Sequence, residues 1–201
     1  RQTLNSDEGK PVLDYLVNER GINKEILERF QVGFCPPRSS HELSNRIVTP
    51  VCDPYGDPVA LSSRHFVNKK NFFHESYLKT FYLYGLHIAK EFILKYNRAI
   101  VAEGEFDVMY LHSCNFPMSV GICGSAFTIF HAAVLMRYCS NVFFIYDGDD
   151  KLNASIRRTD KLFKDNKLSV LGIRFFYVRL PDGLDPDDFI KQKGRKAFVE
   201  L

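Results

Sequence analysis

No run of apolar residues in the 201-residue chain approaches the roughly 20 needed to cross a bilayer. The opening RQTLNSDEGK lacks the apolar stretch of a signal peptide, so a cytoplasmic protein with no membrane partner is expected. It does not begin with Met, and the sequence reads as a fragment of something longer. The five cysteines (Cys35, Cys52, Cys114, Cys123, Cys139) form no Cys-x-x-Cys pair, and an odd number cannot all pair within one chain. A zinc site and a disulfide scaffold are thereby disfavoured, and buried thiols are expected. No internal repeat, low-complexity tract or flexible linker is present. A net charge of +3 is too small by itself to indicate a polyanionic partner. With 45% hydrophobic residues, the chain can bury the core of one large domain or two small ones.

Three acidic clusters each follow an apolar run: Glu103-Gly104-Glu105-Phe106-Asp107 after AIVA, Asp147-Gly148-Asp149-Asp150 after VFFIY, and Asp185-Pro186-Asp187-Asp188 beyond RFFYVRL. Short runs rich in Val, Ile, Phe and Tyr, separated by helix-like stretches, read as buried parallel strands, and open α/β sheets bind ligands beyond the carboxyl ends of their strands. Carboxylates gathered there repel one another unless a cation sits among them, which points to Mg2+ or Mn2+. Three solvated turns would account for the same residues, since Asp and Gly are ordinary turn formers. Asp107 can also be a first-turn acid favoured by the helix dipole, and Asp187 or Asp188 can cap the helix that starts there. Asp185 is then the better candidate ligand.

Along the chain, residues 11–31 predict two short helices around a break at Gly21, with Asn23 placed to cap the second. RIVTPVCDPYGDPVALSSRHF predicts a β-hairpin turning at Asp53–Pro58, with Arg46 and Arg64 near each other towards the outer ends of its strands. Between residues 58 and 90 the bases Arg64, Lys69, Lys70, Lys79 and Lys90 face only Glu75, and aromatics lie among them. That mixture suits single-stranded nucleic acid, and it equally suits a mildly basic solvated surface. A helix over roughly 86–95 leads into an alternation of strands near 99–102, 118–121, 142–146 and 172–179 with helices between them, ending in helices interrupted at Gly194. The expected division is 1–96 as a smaller, basic, mixed α+β subdomain, 97–180 as a mostly parallel α/β sandwich, and 181–201 as an acidic turn opening a helical region. His87, His112 and His131 read as surface or core histidines, and Phe143, Phe144, Phe175, Phe176 and Tyr177 as core aromatics.

Over nearly its whole length the chain resembles the RNA polymerase domain of DnaG-type bacterial and phage primases. YLVNERGINKEILERFQVGFCPP is similar to that family's helical entry segment, RIVTPVCDPYGDPVALSSRHF to its hairpin ending in an arginine, and FYLYGL to the element preceding the Toprim fold. VAEGEFDV, GICGSAFT, FIYDGDD and RLPDGLDPDDFIKQKG then follow in the family's order and at similar intervals. Where the family carries a small Ala-Gly pair after its Asp-x-Asp, this chain has Lys151-Leu152-Asn153.

The resemblance implies a Toprim-type α/β sandwich and synthesis of short RNA primers on single-stranded DNA from NTPs. Glu103, Asp107, Asp147, Asp149, Asp185 and Asp187 match the family's acids that hold two or more Mg2+ or Mn2+ ions, with Glu103, Asp147 and Asp149 at the catalytic centre. Arg46, Arg64, Lys70 and Lys79 match its nucleotide- and template-contacting bases. It further implies zinc-binding and helicase-binding modules outside this fragment, the latter meeting a replicative helicase, and weak initiation without them. Two other readings remain open on the residues: a metal-dependent Toprim nuclease, and a non-catalytic module gripping single-stranded nucleic acid. An Asp-x-Asp after a hydrophobic strand also occurs in haloacid-dehalogenase phosphatases, but there a Thr or Val normally follows, where this chain has Asp150-Lys151-Leu152.

Overall fold

A computed structural model describes residues 3–37, 42–68, 71–122, 124, 126–146, 152–166, 172–181 and 184–201. The chain divides into two compact units, Arg1–Tyr77 and Leu78–Leu201.

In the first unit, α1 (Lys10–Asp14) runs on into a π-helical turn over Tyr15–Glu19, and the chain reverses at Gly21 before α2 (Lys24–Arg29). The apolar positions Leu16, Ile26, Leu27 and Phe30 are buried, as their helical spacing predicts. Asn23 stands at the N-cap of α2 without a side-chain capping bond. The predicted hairpin is present as β2 (Arg46–Cys52) and β3 (Pro58–His65), antiparallel, with a register shift at Val51/Cys52. Its turn is organised by Asp53, whose Oδ1 accepts from the backbone N–H of Tyr55, Gly56 and Asp57 at 2.8, 2.9 and 3.0 Å. Two three-residue strands, β1 (Gly33–Cys35) and β4 (Phe72–His74), extend the hairpin into a four-stranded sheet ordered β1-β2-β3-β4. Neither is long enough to show a period in the sequence.

The second unit opens with α3 (Leu86–Tyr96) and continues through β5 (Arg98–Ala102), α4 (Glu105–Ser113), β6 (Ser119–Gly121), α5 (Ile129–Leu135), β7 (Asn141–Tyr146), α6 (Leu152–Asp165), β8 (Arg174–Arg179) and α7 (Pro186–Val199). The four strands are all parallel and ordered β6-β5-β7-β8. The boundary expected at residues 96/97 falls inside this unit. The segment before β5 is bound into the sheet, because α3 packs on β5 and β6, and Tyr84 exchanges backbone hydrogen bonds with Gly121 at 2.8 and 3.0 Å.

Ala99 through Ala102 are buried without alternation, as befits a central strand covered on both faces. The strand aromatics divide by the pleat. Phe144, 1% exposed, packs with Phe127, Phe163, Phe175 and Tyr177 at centroid distances of 4.8 to 6.2 Å. The Tyr177 hydroxyl donates to Asp160 of α6 at 2.7 Å, securing that helix on this face. Phe143 and Phe176 stack at 4.7 Å on the other face. There Phe176 is 40% exposed, so the sequence expectation of a core residue fails for it: β8 is an edge strand. Gly194 interrupts α7 with φ 81°, as expected. Cys35, Cys52, Cys114 and Cys139 carry free thiols, and Cys123 lies outside the described residues. Among the described residues no helix is long and apolar enough to cross a membrane.

Deleting the Phe144 ring removes the centre of an aromatic cluster, whereas Phe176 projects from an edge. Phe144→Ala is expected to lower stability by about 3–5 kcal/mol and Phe176→Ala by about 1 kcal/mol or less, read from urea unfolding followed by circular dichroism.

Candidate metal and nucleotide site

The sheet order places β5 at the point where winding reverses: the chain leaves β5 for β6 on one side, then crosses to β7 on the other. The carboxyl ends of β5 and β7 are therefore neighbours at a topological switch point. The register pairs Val101 with Phe144, so Glu103 emerges from β5 beside the last residues of β7. Asp147 and Asp149, which follow β7 in sequence, lie outside the described residues, as does Lys70.

Glu103 is exposed and Gly104 caps α4 in an extended conformation (φ −118°, ψ 164°) open to any residue. The need for glycine here is space. A Cβ at Gly104 would stand 3.0 Å from Asp107 Oδ2, the oxygen that accepts from the Gly104 N–H at 3.1 Å. Asp107 thus closes the first turn of α4 on itself, as the helix-start reading anticipated, while remaining one turn from Glu103. Glu105, beside them, is buried at 5% exposure.

In the third cluster the capping role goes to Asp185 rather than Asp187 or Asp188: Asp185 Oδ1 accepts from the Asp188 N–H at 2.7 Å. Asp187, 3% exposed, pairs instead with Lys191 one turn on. The Lys191 ammonium lies 5.4 Å from the centroid of the Tyr110 ring in α4. Farther along α7, Arg195 donates to the Cys114 carbonyl at 3.0 Å and stands over the Phe116 ring at 5.1 Å, so α7 is clamped to α4 along its length. Among the described residues no three His, Cys, Asp or Glu side chains gather closely enough to hold a metal ion. The donors that the described part contributes at the switch point, Glu103 and Asp107, are hard carboxylate oxygens, which fit a hard divalent cation in kind.

The predicted bases have different environments. Arg46 and Arg64 sit on paired strands as expected, but in adjacent register pairs, Arg46 with His65 and Ile47 with Arg64, so the pleat sends them to opposite faces. Arg46 is 7% exposed, its guanidinium donating to the Glu42 carbonyl at 2.8 Å and to the Asn71 carbonyl and Oδ1 at 3.2 and 2.8 Å. Its charge and fork hold two loops together. Arg64 is half-buried with its guanidinium 5.2 Å from the centroid of the Phe72 ring, which is 49% exposed. Lys79 belongs to the second unit. Its aliphatic chain passes the loop after β6, since a Cβ at Gly124 would be 3.9 Å from Lys79 Cδ. Lys79 therefore sits at the carboxyl end of β6, the strand next to β5.

Sequence reasoning took His131 for an isolated histidine. The ring is 1% exposed, Nε2 lies 3.0 Å from the Lys79 carbonyl, and Nδ1 accepts from the Thr128 N–H at 3.3 Å. Both partners select the neutral ring with its proton on Nε2. Burial lowers its pKa below the ordinary value, the Lys79 and Tyr82 backbone bonds opposing that shift. Burial likewise raises the thiols of Cys52 and Cys114, and that of Cys139 to about 11, leaving them protonated rather than nucleophilic. A cleft of about 370 Å³ between the sheet and the end of α7 is mainly apolar and includes Ile100, Phe143 and Phe198 but none of the predicted acids.

Two consequences are measurable. Arg46→Lys cannot reproduce the fork and is expected to cost about 2–3 kcal/mol in urea unfolding. Because His131 is held neutral in the fold but takes up a proton near its ordinary pKa when unfolded, stability should fall as pH drops below about 6.5. His131→Gln should flatten that part of the stability profile.

Residues 100–190 match the family model described as Toprim-like. The DNA primase of Rickettsia typhi is 30% identical over 230 residues, covering 94% of this chain and 37% of that protein. A solved DnaG catalytic core superposes with a TM-score of 0.88 at 26% identity, over 99% of this chain and 74% of that one. A DnaG primase catalytic domain bound to single-stranded DNA superposes with a TM-score of 0.88 at 24% identity, over 100% and 73% of the respective chains. The chain spans about two fifths of the length of the curated primases it matches. A Toprim fold implies divalent-metal binding, in keeping with the carboxylates at the β5 edge. With its parallel four-stranded sheet, the antiparallel unit before it and the ordered motifs along both, the chain is similar over nearly its whole length to the catalytic cores of DnaG-type primases and carries a Toprim-like core.

Proposed function

We propose that this chain is the catalytic part of a primase that joins NTPs into short RNA primers on single-stranded DNA. The observation that carries the proposal is the pair Glu103 and Asp107 at the switch point of a sheet that superposes on a DnaG catalytic core with a TM-score of 0.88.

In this reading Glu103, Asp107, Asp147, Asp149 and Asp185 hold Mg2+ or Mn2+, with Glu103, Asp147 and Asp149 nearest the chemistry, whereas Asp187, expected as a further ligand, is buried and paired with Lys191. Bound divalent ions would activate the attacking 3′-hydroxyl and offset charge on the departing pyrophosphate. Asp107 and Asp185 are each steadied by a backbone N–H at the start of a helix, so their carboxylates have a defined direction before any ion arrives. Lys79 is the cation we assign to the NTP phosphates, because it lies at the carboxyl edge of the same sheet as Glu103. Arg64, backed by Phe72, and Lys70 are assigned to template or nucleotide phosphates, and the exposed Phe72 ring can stack on an unpaired base. Arg46 supports the loops beside them through its internal bonds rather than contacting the polymer.

Incubation with a single-stranded DNA template, NTPs and Mg2+ or Mn2+ should yield short RNA products. Glu103→Gln and Asp107→Asn should each reduce the yield at least about a hundredfold, some 2.7 kcal/mol in the barrier, while circular dichroism stays unchanged. Metal-dependent cleavage of labelled DNA without NTPs, and no RNA product from the folded protein, would instead identify a Toprim nuclease.

A further inference from the structure

The segment Lys79–Tyr84 has no regular structure of its own before its bridge to Gly121, yet consecutive carbonyls at its start are taken up by the first turn of α5. His131 Nε2 reaches the Lys79 carbonyl at 3.0 Å, and Thr128 Oγ1 donates to the Thr80 carbonyl at 2.7 Å. Phe81 and Phe130 stack beside them at 4.1 Å. The His131 ring is itself fixed: its backbone N–H donates to Thr128 Oγ1 at 3.2 Å and its Nδ1 accepts from the Thr128 N–H. With Nδ1 occupied as an acceptor, the ring's proton is on Nε2, aimed at the one carbonyl whose residue carries the phosphate-directed ammonium.

A buried histidine satisfied by backbone usually serves only to complete a core. Here both backbone partners of the ring, Lys79 and Tyr82, lie in this one segment, and the 3.0 Å bond lands on Lys79, whose Cδ passes Gly124 at the sheet's carboxyl edge. We infer that His131 is a positioning residue for Lys79: the His131–Lys79 main-chain bond sets where the ammonium meets the nucleotide. This inference rests on the nucleotide-binding role proposed for Lys79 above. The His131 imidazole touches no substrate in this scheme. Its effect on binding passes through the 79–80 peptides and disappears when the ammonium is gone.

The test is a double-mutant cycle on the intact chain, with ATP and Mn2+ as the probe. The Kd of ATP, the KM for NTPs and kcat of primer synthesis are measured for the parent, Lys79→Ala, His131→Ala, the double variant and His131→Gln, with folding followed by circular dichroism. The inference expects His131→Ala to weaken ATP binding and raise KM about tenfold with kcat changed less than about twofold. It expects no further loss when His131→Ala is added to Lys79→Ala, and recovery to within about twofold of the parent in His131→Gln, whose amide again offers an N–H. Should the alanine variant not fold, His131→Phe, which keeps a ring but has no N–H, is judged by the same criteria. Unchanged ATP affinity on loss of the ring, or a loss that multiplies fully with that of Lys79→Ala, overturns the inference while leaving the primase reading intact. A folded parent that binds no ATP overturns both.

Discussion

The acidic edge of the candidate site traces to the parallel pairing of β5 with β7 on one side and β6 on the other. Because β5 is central, its residues Ala99–Ala102 are buried on both faces, and polar side chains stand only at its two ends, Arg98 at the amino end and Glu103 just beyond the carboxyl end. Reversal of the winding around β5 leaves that end uncovered by a crossover helix. Glu103 stands there, Asp107 one helical turn beyond it, and Lys79 over the loop from the neighbouring strand.

Local backbone donors then organise charges that would otherwise be mobile. Asp107 and Asp185 each take a backbone N–H at a helix start, which suits a negative group electrostatically and fixes its direction. Asp187 is neutralised by Lys191, and the ammonium over the Tyr110 ring links α7 to α4, whose first turn carries Asp107. An acidic edge and a helix pair are thus held by the same few contacts. The His131 and Thr128 bonds extend the pattern to a cation, tying the peptides that follow Lys79 to the first turn of α5.

Much of this was legible in the chain. The α/β alternation follows from runs such as AIVA and VFFIY, and the Asp53 turn from a dense set of turn formers. What escaped has local explanations. Strands β1 and β4 are three residues each, too short for a period. Asp185, Asp187 and Asp188 are equivalent in composition, and only the start of α7 distinguishes the cap from the buried acid. The compact units divide at Tyr77/Leu78, before α3, and the sequence does not display the bridge from Tyr84 to Gly121 that ties this segment to the parallel sheet.

Sequence alone determined which segments become strands and helices, their order, and where acids follow strands, because hydrophobic period and turn chemistry are properties of neighbours along the chain. Only the tertiary structure decided that Arg46 is an internal staple while Arg64 backs onto an exposed ring, and that His131 bonds to a residue 52 positions away. Those outcomes depend on which face a pleat turns a side chain to and on which distant carbonyl comes within about 3 Å, and such facts exist only once the strands have paired.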